Sequence, residues 1–337
     1  MKIESLPRIH LATLPTPLDE LPRLSEALGA RVWMKRDDLT GFALGGNKAR
    51  KLEFLLADAI QQGADVVVTG GGPQSNHARM TAAAARKVGM GATLVFFGNP
   101  PREVNGNLLL DELLGAEILY TRTDDKRETD RVIERVCGEL QARGRKPYVI
   151  PRGGSTVLGC CAYILAVGEL LEQLRAQAVT PDWIFITTGS CGTHAGILAG
   201  LKYFGARIPV YGITVSRPIA EGKPRINLLV QETAEFLQTA LSLEPDDVIL
   251  DDAYLGAGYG IITPEARTAI QLVARSEGIF LDPVYTGKTM AGLMDLVRRG
   301  VVVRGATILF WHTGGAPGIF GHPDDFKVAS HHPLREA

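Results

Sequence analysis

The sequence predicts an α/β protein built on doubly wound parallel sheets. Three observations carry that expectation. Apolar, β-branched runs alternate with helically patterned segments along the chain, which is the signature of βαβ units. Several of those runs are apolar on both faces, as buried parallel strands require. The length, 337 residues, corresponds to about two domains.

The runs place strands at residues 32–34, 66–69, 93–97, 118–120, 148–150, 183–187, 210–215, 279–281 and 307–311. Helical patterning between them covers 49–61, 76–87, 126–142, 156–174, 192–203, 264–276 and 288–298. In the first of these helices Leu52, Leu55, Leu56 and Ile60 share one face. In such sheets ligand sites lie at the carboxyl ends of the strands. The 38 glycines, about 11% of the chain against a usual ~7%, gather in short runs after apolar stretches. They mark turns that approach a ligand rather than a linker.

Charge and composition exclude several classes. Basic and acidic residues number 36 and 37, for a net charge of −1, so nothing points to nucleic acid or an anionic membrane as partner. Cys137, Cys160, Cys161 and Cys191 have no C-x-x-C spacing, which argues against structural zinc and a disulfide scaffold. A reducing cytoplasm is the expected location. The first residues, MKIESLPRIHLATLPTPL, lack a long apolar core, so no signal peptide is expected. No run approaches 18 uninterrupted apolar residues, so no membrane span is expected. His331 and His332 read as tail residues, and no metal is expected.

Four glycine-rich segments carry candidate chemistry. In GGNKARKLEFLL, Lys48 sits where a turn becomes a helix, a place that disfavours a cation and favours a neutral amine or an imine. A solvated lysine beside Arg50 and Lys51 is the alternative. In TGGGPQSNHARM, the residues Gln74, Ser75, Asn76 and His77 lead into a helix whose first N–H groups suit an anion. Ser75 or Asn76 would also serve as a plain helix cap. In ITTGSCGTHAG, Ser190, Gly192 and Thr193 open another helix as a phosphate cradle, with His194 free to pack inside it. Neither a P-loop nor a G-x-G-x-x-G fingerprint is present. The fourth site comes from DPVYTGKTM and HTGGAP, where Tyr285, Thr286 and Thr313 follow strand ends. Tyr285 could equally be a core tyrosine and Thr313 a turn residue. A reactive lysine, a phosphate cradle, a carboxylate-binding helix start and a hydroxyl facing a ring nitrogen together describe pyridoxal phosphate catalysis on amino acids.

PTPL, KRDDLTGFALGGNKARKLEFLL, PQSNH, YVIPRGG, GSCGTHAG, DPVYTGKTM and HTGGAP, in this order, strongly resemble the D-cysteine desulfhydrase / 1-aminocyclopropane-1-carboxylate deaminase family. The matching segments run from residue 15 to residue 317. These are fold-type II enzymes related to the tryptophan synthase β chain. The resemblance implies two domains with the active site between them. Residues 1–50 and 156–337 would form the larger, pyridoxal 5′-phosphate-binding one, and 51–155 the smaller, inserted one. It implies Lys48 as the Schiff-base lysine and Asn76 as the partner of the ring 3′-oxygen. Ser75, with Gln74 and His77, would hold the substrate carboxylate. Ser190, Cys191, Gly192 and Thr193 would hold the phosphate, although Cys191 is larger than the small residue expected there. Tyr285 and Thr286 would face the substrate and Thr313 the pyridine nitrogen. A homodimer is also implied.

The deaminase pattern has Glu directly after the active-site Tyr and Leu in place of Thr313. The two threonines here would leave the ring nitrogen without a carboxylate and the cofactor a weaker electron sink. That favours β-elimination of a good leaving group, such as thiolate from D-cysteine, over opening of a cyclopropane. Sulfite from L-cysteate is a rival leaving group. A non-catalytic α/β small-molecule-binding protein is the rival of another class.

Overall fold

A computed structural model describes residues 3–326; His331 and His332 lie outside the described residues. Two sheets organise the chain. The first has six strands in the order β1 (Leu18–Glu20), β2 (Arg31–Arg36), β10 (Thr307–His312), β7 (Trp183–Thr188), β8 (Val210–Thr214), β9 (Ile249–Asp251). All its pairings are parallel except the antiparallel edge strand β1 against β2. The second sheet is parallel throughout, with four strands in the order β5 (Glu117–Tyr120), β4 (Gly91–Phe96), β3 (Val66–Gly71), β6 (Pro147–Val149).

The connecting helices are α1 (Pro22–Leu28), α2 (Lys48–Gln61), α3 (Asn76–Lys87), α4 (Gly106–Leu113), α5 (Lys126–Ala142) and α6 (Val157–Ala176). They continue with α7 (Gly192–Tyr203), α8 (Ile219–Leu237), α9 (Pro264–Glu277), α10 (Thr286–Arg298) and the short α11 (Pro317–Phe320). The expected strands appear, with one exception. Residues 279–281 pair with no strand; Ile279 and Leu281 are instead buried in the core formed with α9 and α10. Strands β1 and β9 and helices α1, α4 and α8 were not foreseen. Helix α8 contains Pro224 and Gly222, which read as breakers in the sequence.

Helix α6 is long and apolar enough, by length and composition, to cross a membrane. Here it is a core helix. Cys160, Tyr163, Ile164, Val167 and Leu170 are fully buried with residues of α7 and α8. Gly196 and Gly200 let α7 approach α6, since a methyl group on either would meet Tyr163 or Val167 at under 3 Å.

A buried ion network anchors the segment that precedes α2. Asp37 Oδ1 accepts from Arg50 Nε at 3.0 Å, and Asp37 Oδ2 accepts from Tyr163 Oη at 2.6 Å and Trp311 Nε1 at 2.9 Å. Arg50 also forms a two-pronged pair with Glu169, which in turn receives Lys35 Nζ at 2.5 Å. Burial alone would raise the Asp37 carboxyl, but Arg50 and these hydrogen bonds hold it below the usual carboxylate range.

Candidate active site

The carboxyl ends of strands from both sheets converge on one cavity of about 610 Å³. Gly70 and Gly71 end β3, Thr187 and Thr188 end β7, and Thr313 follows β10. Both parallel sheets thus present the ends at which ligands bind.

The turn that delivers Lys48 is strained. Ala43, Leu44, Gly45 and Gly46 all have positive φ, at 45°, 63°, 74° and 133°. A methyl group on Gly45 would lie 1.8 Å from the Asp38 carbonyl oxygen, so no side chain fits. Arg79 Nη2 donates to the Gly45 carbonyl, and Gly46 N–H donates to the Asp37 carbonyl. Asn47 closes the turn from the other side. Its N–H donates to the Thr313 carbonyl, and its Nδ2 donates to Thr193 Oγ1, both at 3.0 Å. Lys48 therefore begins α2 at a fixed point on the cavity wall. Burial, and then the neighbouring Lys51, depress its amine well below the ordinary lysine value. Burial thus favours the neutral amine of Lys48, the form that acts as nucleophile or base.

Ser75 caps α3, accepting from Ala78 N–H at 3.2 Å, and lines the cavity with Asn76 and His77. Its hydroxyl proton remains available for a carboxylate. His77 plays a quieter part than expected. Thr69 donates to the Ile150 carbonyl, so His77 Nε2–H donates to Thr69 Oγ1 at 2.9 Å, and burial keeps the ring neutral.

Two expectations fail on geometry. Gln74 faces away from the cavity. Its Oε1 accepts from Asn107 N–H, and its Nε2 donates to Asn105, so it fastens the start of α4. Thr286 is fully buried as the first residue of α10, and its Oγ1 accepts from Asp282 N–H at 2.7 Å. Neither residue lines the cavity.

The phosphate-type loop is present as a unit. Ser190, Cys191 and Thr193 line the cavity at the start of α7, whose first-turn N–H groups have no acceptors within the helix. Ser155, not foreseen, donates to Ser190 Oγ at 2.7 Å and accepts from Gly192 N–H at 3.2 Å. Gly192 thus packs behind the wall rather than on it. Cys191 adopts φ +74°, a strained conformation for a non-glycine residue, and burial raises its thiol. Lys51, fully buried, donates to the Gly153 carbonyl at 3.2 Å, and a methyl group on Gly192 would lie 3.0 Å from its Nζ. Its ammonium therefore stands beside the loop, although burial lowers it to about 8.

Tyr285 also lines the cavity, its ring close to Gly189, just before that loop. Its hydroxyl is 2.6 Å from that of Tyr259, which the sequence did not single out. Burial pushes Tyr285 well above the ordinary tyrosine value, so it stays protonated. Phe97 stacks edge-on against Tyr259, and Lys126 Nζ lies 5.1 Å from the Tyr259 ring centroid. Tyr259 lies in a loop, Phe97 directly follows β4 and Lys126 opens α5, and no periodic signal joins them. Thr313 lines the cavity beside Gly314. Among the described residues, the one carboxylate on the wall is Glu221, paired with Arg217 at 3.4 Å.

The donor set fits a phosphorylated aldehyde: a lysine amine depressed by burial, a helix N-terminus with a buried ammonium beside it, and a threonine hydroxyl on the cavity wall. Residues 9–314 match the model of the pyridoxal-phosphate dependent enzyme family. The chain belongs to that family. A Salmonella choleraesuis protein named D-cysteine desulfhydrase is 43% identical over 324 residues, covering 94% of this chain and 97% of its own. A Pyrococcus abyssi protein named for 1-aminocyclopropane-1-carboxylate deaminase is 44% identical over 323 residues, with 96% of both chains covered. A solved structure described as an ACC deaminase homologue superposes with a TM-score of 0.88 at 43% identity, covering 96% of each chain. Threonine deaminase, at 20% identity and a TM-score of 0.62, shares the fold. This pyridoxal-phosphate dependent enzyme thus has two parallel-sheet α/β units and relatives with both names.

Ser75→Ala is expected to separate two roles. Loss of the cap should cost the protein about 1 kcal/mol of stability. Loss of a charge-assisted bond to the substrate carboxylate should lower kcat/KM by roughly one to two decades, at about 1.5–3 kcal/mol. Thermal melting and steady-state kinetics read the two effects apart, and unchanged kcat/KM would place the carboxylate elsewhere.

Proposed function

We propose that this enzyme catalyses β-elimination from D-cysteine or a closely related β-substituted amino acid, giving pyruvate, ammonia and sulfide. The observation that carries this reading is the wall around Thr313. A neutral hydroxyl is available to the ring nitrogen, and the cavity's one described carboxylate, Glu221, is paired with Arg217. Thr286, buried in the start of α10, presents no hydroxyl to the cavity. Thr313 alone supports the reading.

When bound, the cofactor supplies an aldehyde that captures the substrate amine and a ring that withdraws electrons from Cα. The protein's own groups do the rest. Ser75 and the first N–H groups of α3 hold the carboxylate. The neutral Lys48 amine takes the Cα proton as general base. Tyr285, kept protonated by burial and hydrogen-bonded to Tyr259, delivers a proton to the departing thiolate. Ser190, Thr193, the start of α7 and Lys51 take the phosphate. Asn76 would hold the ring 3′-oxygen.

We also propose that residues 51–155 form the smaller unit and 1–50 with 156–337 the larger one. All four strands of the second sheet fall inside the smaller range, which supports the division. The described cysteines are unpaired, which supports a reducing compartment.

Pyruvate formation should be compared across D-cysteine, L-cysteine, L-cysteate and D-serine derivatives, with 2-oxobutanoate followed from the cyclopropane amino acid. D-Cysteine is expected to give the highest kcat/KM, with sulfide released in equal amount to pyruvate. Cyclopropane turnover as fast or faster would replace this reading with the deaminase one.

A further inference from the structure

Asp282 takes no part in the chemistry above, yet it joins two segments that line the cavity, the start of α3 and the turn bearing Tyr285. Its side chain is buried at 1% exposure. Oδ1 accepts from the N–H groups of Val284 and Tyr285, both at 2.7 Å, and so shapes the turn that carries Tyr285. Oδ2 accepts from Asn76 Nδ2 at 2.8 Å, on the start of α3. Gly315, at φ +107°, roofs this contact: a methyl group there would lie 2.3 Å from Asp282 Oδ2 and 2.5 Å from Asn76 Nδ2.

The same contact fixes which way the Asn76 amide points. A backbone carbonyl can only accept, so the Gln74 carbonyl, 3.0 Å away, pins Asn107 Nδ2 in place. The other hydrogen of that group is donated to Asn76 Oδ1 at 2.8 Å. Asn76 must then turn Nδ2 toward Asp282, whose ionised carboxylate can only accept. Burial pushes Asp282 up to about 6, against the pull of its N–H donors, so it is ionised at neutral pH. The oxygen of Asn76 is occupied, and one Nδ2 hydrogen is left for the cavity that Asn76 lines.

We infer that Asp282 is a positioning residue: it locks the Asn76 amide as a donor toward the cofactor's ring 3′-oxygen and ties that donor to the turn bearing Tyr285. The inference rests on the proposed placement of Asn76 beside that oxygen.

Asp282→Asn tests it. The asparagine oxygen can keep the bonds to Val284 and Tyr285, but its amide meets Asn76 donor to donor. Asn76 can then turn over and present its oxygen to the ring. Titration of the apo-protein with pyridoxal 5′-phosphate should show affinity weakened about tenfold, the scale of one hydrogen bond. The visible absorption maximum of the loaded protein should also move. Asn107→Ala, which frees the other end of the Asn76 amide but leaves Asp282 holding its Nδ2, should keep a spectrum close to that of the wild type. Asn76→Ala should match Asp282→Asn, and adding Asp282→Asn to it should cause no further loss. Melting of each apo-protein checks that it is folded.

A folded Asp282→Asn variant with wild-type spectrum and affinity, or effects that add to those of Asn76→Ala, would overturn the role of Asp282. If Asp282→Asn does not fold, Asn107→Ala decides: a spectrum close to wild type supports Asp282 as the lock, and one moved as far as in Asn76→Ala overturns it. No change in Asn76→Ala itself would overturn the placement of Asn76, and this inference with it.

Discussion

Lys48→Ala is expected to lower kcat by about 10²–10⁴-fold, the scale of losing a positioned general base. It should also remove the covalent attachment of the cofactor. The amine is fixed by Asn47 on one side and by the left-handed run 43–46 on the other, and of the lysines on the cavity wall among the described residues it is the one most depressed by burial. Borohydride reduction followed by peptide mapping should place the cofactor on Lys48. Lys51→Ala should behave differently: the covalent label stays, while cofactor affinity falls by about one to two decades through loss of a charge-assisted phosphate contact. A label on Lys51, or an active Lys48→Ala enzyme, would reverse the two assignments.

Asp37→Ala is expected to be the most damaging change to stability. It strips Arg50, which is 3% exposed, of one of its two acids, and leaves Tyr163 and Trp311 without their acceptor. Breaking a buried pair in this way costs about 3–5 kcal/mol. The melting temperature should fall on the order of 10 °C. The pH dependence has a definite sign. Asp37 is held below its ordinary value of 3.8, so its contribution is complete above that pH and is lost as pH falls through its lower folded-state value. The gap between wild type and variant should therefore be widest near neutrality and close in acid. An equal gap at both ends would mean that the effect is packing rather than charge.

The sequence made the framework legible because buried parallel strands such as β3 and β7 write themselves as apolar runs ending in glycine-rich turns. Lys48, Ser75, Asn76, Thr193 and Thr313 were readable for the same reason, since each follows or begins such an element. Tyr259, Phe97 and Asp282 were not. Tyr259 and Asp282 reach the site from loops, where position is set by contacts distant in sequence, and Phe97 follows β4 as an apolar residue that its strand's pattern does not set apart. Thr286 shows the opposite error. Its place after Tyr285 suggested a role, but the first residue of a helix turns its side chain with the helix, and here that direction is back toward Asp282 N–H. Helix α8 was hidden by local composition: Gly222 and Pro224 are poor helix formers, but the buried stripe of Ile226, Leu229, Val230 and Thr233 outweighs them.

The order of strands in the six-stranded sheet bears on when an active enzyme can exist. Strand β2 has its parallel neighbour in β10, and the hydrogen bond from Trp311 to Asp37 spans 274 residues. The Lys48 turn likewise leans on the carbonyl of Thr313. While the ribosome is still adding the middle of the chain, the lysine segment has neither its sheet partner nor its main-chain anchor. Contacts this distant form late and slow the search for the native state. The four-stranded sheet, by contrast, draws all its strands from residues 66–149 and can assemble on the nascent chain. Cofactor capture is thereby coupled to the arrival of β10, and a truncated chain cannot present a finished lysine pocket to free aldehyde in the cell.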